Sequence, residues 1–243
     1  MVQTVIAVDQ VLTIVPKIPF QPLLQDYILG MVFANAAARA SRNTITNSNN
    51  DAAQVFNNQW NNKLGQIGWT LTSAGSQQIK YSGSNQTTTI ADSLVQQSGS
   101  DVVLQAINTL KSLTESNDSS AIALTEFWWE FAAQGQFMQS YIGQLMCSSE
   151  SVNFEMFCFY VDLSKIQVPS SGFLNIKSSS LDYSSIKAIF SNVLSSSIDL
   201  TTYNLSAELQ IDRFANSREE LNQRIGAKLT DHYKTFPANL LQN

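Results

Sequence analysis

The chain begins with a strand-like run of β-branched and apolar residues. The run covers residues 4–15 and ends before Pro16 and Pro19. Proline cannot donate a hydrogen bond to a neighbouring strand, so it is rare inside a sheet. We therefore predict one strand over residues 4–15.

Helical spacing follows directly. Residues 21–42 carry apolar side chains at three- and four-residue intervals, which predicts a helix with one apolar face. Asp26 near its start and Arg39 near its end suit the helix dipole. The apolar face contains Tyr27, Ile28 and Met31.

More helices, with short strands between them, are predicted over the next part of the chain. The helices are residues 52–64, 87–97, 102–113 and 119–127, and short strands at 64–71 and 77–81 flank a turn at 73–76. Residues 21–42 and 52–64 would pack as one helical pair, and the later helices as a second group.

The middle of the chain changes to long segments of β-forming residues. The predicted strands are residues 136–147, 152–167 and 173–181, separated by turns rich in Ser, Pro and Gly. Within the second strand, Phe154 and Tyr160 lie on one alternating face, and Phe157 and Phe159 lie on the other. A strand that is apolar on both faces is covered on both faces, so we expect helices on both sides of the sheet.

The remaining pattern predicts a helix, a strand and a terminal helix. These are residues 183–194, 201–211 and 218–233, and Ser217 and Glu220 form a capping box before the last helix. No shift in composition marks a domain boundary. We predict a single domain over residues 1–243, of class α/β (α+β): three α/β/α layers, a largely antiparallel sheet wrapped by helical hairpins, and an additional C-terminal helix at about 217–234.

Composition removes several functional classes. Charged residues make up 14% of the chain, against about 25% in typical proteins, and the formal net charge is −5. Basic residues are too few and too scattered for a nucleic-acid surface, and the aromatic content of 10% argues against an acidic disordered chain. The glycine-rich phosphate and dinucleotide motifs are absent, so we predict no cofactor.

Few residues in the sequence could form a catalytic site. The chain has one histidine, His232, whereas most hydrolytic triads and zinc sites need imidazoles beside other functional groups. We expect it to be a solvated surface residue near a helix end. Glu126 and Glu130 bracket an aromatic segment and are better explained as its polar edge than as a glycosidase pair. The expectation is a protein that is not an enzyme and holds no metal.

Two cysteines, Cys147 and Cys158, are too few for a disulfide framework. If residues 141–147 and 154–161 form a hairpin, Cys147 lies opposite residue 154, so the two thiols are not placed for a bridge. Two buried thiols are the favoured interpretation. A lipidated or redox-active thiol is the alternative.

The segment Phe127-Trp128-Trp129-Glu130-Phe131 is the most unusual local feature. Large aromatic residues at a helix-to-strand junction usually fill a core. The functional alternative is contact with lipid or a partner, because tryptophan suits a boundary that is apolar on one side and wet on the other.

The order of these elements resembles that of the Cyt-type cytolytic delta-endotoxin and volvatoxin-like fold family. The similar segments are residues 11–15 followed by Pro16, residues 26–37 (DYILGMVFANAA), residues 103–129 with their Phe-Trp ending, and residues 139–147, 154–168 and 173–187. Residues 64–81 and the helix at 218–233 depart from that pattern.

The resemblance implies a membrane-damaging cytolytic toxin, pore-forming or detergent-like, that binds phospholipid directly and inserts its long strands. Members of the family are made without a signal peptide, often as crystalline inclusions, and a relative with the same fold carries a covalent lipid. The residues expected to contact or enter the membrane are Trp128, Trp129, Tyr141, Phe154, Phe157, Phe159 and Tyr160. Tyr27, Ile28 and Met31 mark the helix expected to move, and Cys147 and Cys158 are the candidates for lipidation.

The expected partners are therefore membrane phospholipids and other copies of the chain, on membranes or in inclusions. The N-terminal residues lack the features of a signal peptide, and no segment reaches the roughly 20 apolar residues of a spanning helix. We expect a soluble protein, held in cytoplasmic inclusions or released without a signal peptide. The alternative functions are a non-lytic lipid-binding virulence or effector protein, an inclusion-forming structural or storage protein and, last, an unknown enzyme.

Overall fold

The structure is a computed structural model. It describes residues 3–15, 21–42, 49–81, 101–134, 137–148, 151–162, 167–168, 172–173, 183–184, 186–187 and 198–237. The predicted fold class is confirmed, because these residues form an α+β fold with a mostly antiparallel sheet.

One large sheet organises the described chain. Its main strands are β1 (Thr4–Val8), β2 (Val11–Val15), β3 (Trp69–Tyr81), β5 (Phe137–Cys147), β6 (Val152–Asp162), β9 (Ile198–Leu209) and β10 (Tyr233–Pro237), with the short β4 (Ala133–Gln134) beside β5. They lie in the order β10-β1-β2-β5-β6-β9-β3. Strands β2 and β5 run parallel. The short strands β7 (Gln167–Val168) and β8 (Gly172–Phe173) pair separately.

Helices cover both faces of this sheet. They are α1 (Gln21–Arg42), α2 (Asn49–Gln66), α3 (Asp101–Glu115), α4 (Ser119–Ala132) and α5 (Ile211–Ile225), which continues as a 3₁₀ segment, Gly226–His232. We call the side under α1, α2 and α5 the α1 face; it carries Ile6, Tyr141 and Phe154. The side under α3 and α4 is the α4 face, and it carries Leu12, Ile142 and Phe157.

The prediction of a strand that is apolar on both faces is confirmed for β6. Phe154, Met156 and Cys158 belong to the apolar cluster on the α1 face, while Phe157 and Phe159 belong to the cluster on the α4 face. All five side chains are almost completely buried. Alternation along the strand therefore places one strand between two cores.

Two strand predictions were wrong at their turns. Residues 4–15 form a hairpin instead of one strand, because Asp9 adopts a left-handed φ of 50° and reverses the chain. Aspartate tolerates this conformation better than most residues. Conversely, the two short strands predicted at 64–71 and 77–81 are replaced by the end of α2, up to Gln66, and the single strand β3, which pairs with β9 and absorbs an irregularity between Leu71 and Ser73.

The terminal helix was predicted in the wrong place. Helix α5 begins at Ile211, so Ser217 lies inside it and does not cap it. It ends at Ile225, and Tyr233–Pro237 becomes β10, which pairs with β1. The capping-box spacing of Ser217 and Glu220 indicated the wrong start for the helix, because the same spacing also occurs by chance within a helix. The actual stripe of Phe214 and Leu221 is buried against the α1 face.

Other predicted elements agree with the structure to within a few residues, including α1, α2, β5 and β9. The helix predicted at 119–127 extends to Ala132 and begins after Asp118, whose carboxylate accepts hydrogen bonds from two backbone amides of its first turn. The helix predicted at 87–97 lies outside the described residues. So do most of the strand predicted at 173–181 and of the helix predicted at 183–194.

Candidate functional site between α1 and the sheet

Helix α1 buries the residues that the sequence placed on its apolar face. Tyr27 and Met31 are completely buried, and Ile28 is nearly so. They pack against the α1 face together with α2 and α5. The helix that was expected to move is thus an integral layer of the fold, held by apolar burial and by a small set of polar contacts.

Two of those contacts join α1 directly to the strands beneath it. The hydroxyls of Tyr27 and Thr13 share a hydrogen bond of 2.5 Å. Asn35 donates from Nδ2 to the carbonyl oxygen of Val8 at 3.3 Å and accepts a 2.8 Å hydrogen bond from Nε1 of Trp60. These groups are buried, so separating α1 from the sheet would leave them without partners unless water or lipid headgroups replaced them.

Asp9, at the turn between β1 and β2, is a second point of attachment. Its side chain is 1% exposed and lies 2.6 Å from Nη2 of Arg39 and 2.8 Å from Nδ1 of His232. Its backbone amide donates to the carbonyl oxygen of His232 at 2.9 Å. The expectation of a solvated histidine was wrong, because His232 is part of this partly buried charged cluster. Burial lowers the pKa of Arg39, and the neighbouring Asp9 opposes that shift.

Asp26 provides the third attachment. Arg218 on α5 donates from Nε and Nη2 to the two carboxylate oxygens of Asp26, at 2.7 and 2.6 Å. The Asp26 side chain is 2% exposed and that of Arg218 is 39% exposed. The hydrogen bonds to Asp26 raise the pKa of Arg218. Asp26 therefore forms an ion pair between two helices. The interpretation that it interacts with the helix dipole was wrong, since Asp26 lies beyond the first turn of α1.

Below α1 and α2, the α1 face is lined with aromatic rings. Trp60 stacks on Tyr141 with ring centroids 4.4 Å apart, and Trp69 lies 4.9 Å from Phe154. The hydroxyl of Tyr141 hydrogen-bonds to Oδ1 of Asn57. Tyr160 is also buried, and its place in the alternation puts it on this face. Of the predicted membrane-contacting residues, Tyr141, Phe154 and Tyr160 thus lie on this face.

The other four predicted contact residues lie on the α4 face. Trp128, Trp129, Phe157 and Phe159 are all completely buried in its apolar cluster. Nε1 of Trp128 donates to Oγ of Ser140 at 2.8 Å, and that hydroxyl donates to the carbonyl oxygen of Gln10 at 2.6 Å. The unusual aromatic segment therefore fills a core in this structure. Glu126 and Glu130 are exposed on the outer side of α4.

Both cysteines are free thiols, as the hairpin argument predicted. The register differs from the expected one: Cys147 lies opposite Val152, and Cys158 lies opposite Tyr141. Burial raises the pKa of Cys158 to about 12 and that of Cys147 to about 11. Neither environment favours the reactive thiolate. Lipidation of either cysteine stays a prediction.

The two faces of the sheet differ near the turn between β5 and β6. There the α4 face carries Asn153 and Glu155 on β6 and Ser206 and Glu208 on β9, all partly exposed. These side chains are neighbours, because Glu155 lies opposite Ser206 and Asn153 opposite Glu208. The α1 face of β6 is apolar from Val152 to Tyr160.

A cavity of about 420 Å³ lies at the N-terminal half of α1. Ile6, Val15, Ile28 and Leu229 form its buried wall, while Gln25 and Thr235 are exposed at its edge. Packing between α1 and the sheet is therefore incomplete at this point.

Within the described ranges, no three His, Cys, Asp or Glu side chains are grouped so that they could hold a metal ion. In the same part of the chain, no helix combines the length and the apolar character needed to cross a membrane.

The polar attachments of α1 were not singled out from the sequence. The available signal was a charged residue, Asp26, adjacent to the buried stripe of a helix. Its partner Arg218 could not be identified, since the two residues are 192 positions apart.

No family model and no curated protein sequence matches this chain. Among solved structures, it is similar to the structure of the Evf virulence factor, with 10% sequence identity and a TM-score of 0.35. That match covers 90% of this chain and 77% of the other. A similarity at this TM-score carries no functional inference, so membership of the Cyt-type family stays a prediction.

Proposed function

We propose that this protein damages membranes by binding phospholipid directly, without enzymatic chemistry. The lipid-contacting surface would be the α1 face of β5, β6 and β9, uncovered when α1 and α2 move away. The observation that carries the proposal is the α1 face of β6, where Val152, Phe154, Met156, Cys158 and Tyr160 succeed one another without a charged side chain.

Strand length supports this choice. A strand that crosses a bilayer needs about 9–11 residues. Strands β5 and β6 have 11 each, and β9 has 12. In water their apolar surface has to be covered by helices, and in a membrane hydrocarbon could take the place of that cover.

The difference between the two faces indicates which one would meet lipid. Glu155 and Glu208 interrupt the α4 face, and a carboxylate in hydrocarbon is strongly unfavourable. No charge interrupts the α1 face between Val152 and Tyr160 on β6, or between Leu205 and Leu209 on β9. We therefore propose that α3 and α4 stay on the sheet and that α1 and α2 leave it. Of the residues predicted to contact lipid, Tyr141, Phe154 and Tyr160 would do so, and Trp128, Trp129, Phe157 and Phe159 would stay covered.

Self-association on the membrane belongs to the proposal. Backbone amides and carbonyls at an open sheet edge cannot remain unpaired in hydrocarbon. Several copies would have to pair their edges, or the protein would have to act from the bilayer surface in a detergent-like way.

The test is leakage of dye from anionic and zwitterionic vesicles, combined with a lock on α1. Cysteines would replace Val8 and Asn35, whose carbonyl oxygen and side-chain amide are 3.3 Å apart, in a background where Cys147 and Cys158 are Ala. We expect the oxidised protein to leak dye at least about tenfold more slowly than the wild type, since a disulfide opposes the opening that exposes the sheet. The reduced form of the same variant is the matched control, and it should leak dye.

Three results bear on the proposal differently. If wild-type protein at micromolar concentration released no dye at acidic, neutral or alkaline pH, even after limited proteolysis, membrane damage would be ruled out as its activity. Binding to vesicles without leakage would favour the non-lytic lipid-binding alternative. Equal leakage from the oxidised and reduced variants would mean that α1 does not have to move.

A further inference from the structure

Residues 211–237 form a strap that joins opposite regions of the sheet. The strap consists of α5, the 3₁₀ segment and β10. It begins after β9, next to the edge strand β3, where the amide of Gln210 donates to the carbonyl oxygen of Gly68 at 2.9 Å. It ends as β10 at the opposite edge, paired with β1. The chain thus crosses from one edge region to the other on the side occupied by α1.

Successive parts of the strap contact α1 and its surroundings. The ring of Phe214 packs beside Gly30, close enough that an added Cβ there would lie 3.6 Å from it. Arg218 binds Asp26 through two hydrogen bonds, and Leu229 shares the cavity wall with Ile28. The strap therefore runs along the N-terminal half of α1, while Tyr27 on the same helix binds the sheet below.

Charge ties both ends of α1 to this strap. Asp26 pairs with Arg218 directly. Arg39 is tied indirectly, because the carboxylate of Asp9 that it contacts also contacts His232, the last residue before β10. If α1 left alone, Asp26 and Arg39 would each lose an ion pair. Removing one partner of a buried pair leaves an uncompensated charge, which is strongly unfavourable.

We infer that the strap is the lock on α1: β10 must separate from β1, and Arg218 from Asp26, before α1 can leave the α1 face. The effect of the lock on leakage rests on the proposed function. Whether the strap opens before α1 can be measured without a membrane. With β10 in place, the strap stays fixed at both ends, and α1 can leave only by breaking its contacts with Phe214, Arg218 and Leu229.

A disulfide staple from β10 to β1 tests the lock. Ala7 and Lys234 are directly opposite in this antiparallel pair, and such residues lie about 4.5–5.5 Å apart between Cα atoms, within the range of a disulfide. In the Cys147→Ala/Cys158→Ala background, the oxidised Ala7→Cys/Lys234→Cys variant should slow both leakage and amide hydrogen exchange of α1 by about tenfold or more, because a strap that cannot leave β1 keeps its contacts with α1 in place. Reduction should restore both rates.

Substitutions at the ion pair should act in the opposite direction. Arg218→Gln leaves Asp26 unpaired and should speed exchange of α1 by about tenfold, and Arg218→Lys, which keeps the charge but loses the two-pronged contact, should have a smaller effect. Arg224→Gln is the matched control. It lies on the same helix and breaks an exposed pair with Glu220, so exchange of α1 should stay at the wild-type rate.

The outcomes separate the two proposals. Unchanged exchange of α1 in both the stapled and the Arg218 variants would overturn the lock, even if wild-type protein leaks dye and the α1 lock stops it. Absence of leakage from every variant would overturn membrane damage, while exchange of α1 would still decide the role of the strap. If Arg218→Gln does not fold, the comparison of oxidised with reduced staple decides alone.

Discussion

At the scale of single residues, the α1 face holds ionisable groups away from water. Burial raises the pKa of the Cys158 thiol from 9.0 to about 12. Burial also raises the pKa of Tyr27, against the opposing effect of its hydrogen bond with Thr13. Raised values mean that the folded protein favours the neutral forms. Their contribution to stability is complete below the unfolded pKa and is lost as the pH rises through the folded pKa.

This gives an alkaline instability that can be assigned to one residue. Between about pH 9 and pH 12, the free energy of unfolding should fall more steeply for wild type than for Cys158→Ala, by about 1 kcal/mol per pH unit. Urea unfolding over a pH series measures both slopes. Cys147→Ala is the comparison: because burial raises the pKa of that thiol only to about 11, its effect on the slope should end near pH 11, whereas that of Cys158 should continue to about pH 12. Parallel curves for wild type and Cys158→Ala would contradict the assignment.

At the scale of elements, the pairing of β5 with β6 depends on a glycine. A Cβ placed on Gly143 would lie 2.1 Å from the carbonyl oxygen of Glu155 and 2.8 Å from Cα of Met156. Both atoms belong to the neighbouring backbone, which cannot yield without disturbing the strand pair. Gly143 is therefore required by the close approach of two long strands.

We expect Gly143→Ala to destabilise the protein by about 2–4 kcal/mol, since overpacking here displaces backbone. Gly65→Ala is the matched control, because an added Cβ on this helical residue of α2 meets nothing within 4 Å. That change should be neutral or stabilising by up to about 1 kcal/mol, as alanine favours helices over glycine. Chemical unfolding of both variants provides the comparison, and equal stability of the two would show that β5 can adjust.

At the scale of the whole molecule, the sheet divides the tryptophans into two pairs. Trp60 and Trp69 are buried on the α1 face, and Trp128 and Trp129 on the α4 face. The chain has 4 tryptophans, so replacing one pair with Phe leaves a fluorescent reporter of the opposite layer.

If only the α1 layer opens, binding to vesicles should change the emission and quenching of Trp60 and Trp69 and leave those of Trp128 and Trp129 as they are in solution. Lipids brominated along their acyl chains would serve as the quencher, because they act only on rings close to hydrocarbon. Quenching of Trp128 and Trp129 would contradict the proposed choice of face and support the original prediction that these residues contact lipid.

Periodicity identified most of the large elements. In α1 and β6 the spacing of apolar residues follows directly from the backbone repeat of a helix or a strand. The two-sided apolar character of β6 even indicated that helices cover both faces. These features could be predicted because neighbouring residues encode them.

The pairings between distant parts of the chain could not be predicted in this way. The hairpin at Asp9 needs a left-handed turn residue that lacks the usual Asn-Gly or Asp-Gly signal. Strand β10 is a short segment that is defined by pairing with β1. The local capping pattern at Ser217 indicated that a helix starts there. The helix instead starts at Ile211, because burial of Phe214 and Leu221 stabilises the earlier turns.

The sequence by itself determined the class of the fold and the long strands with their apolar faces. It also determined the amphipathic helix α1, because local periodicity encodes each of these features. Only the tertiary structure decided what holds that helix in place. Asp26 meets Arg218 across 192 positions, and Asp9 meets His232 across 223. An ion pair holds α1 in place only because folding buries a charged group beside its partner, so that separating the two becomes costly. No local sequence pattern indicates which distant residue that partner will be.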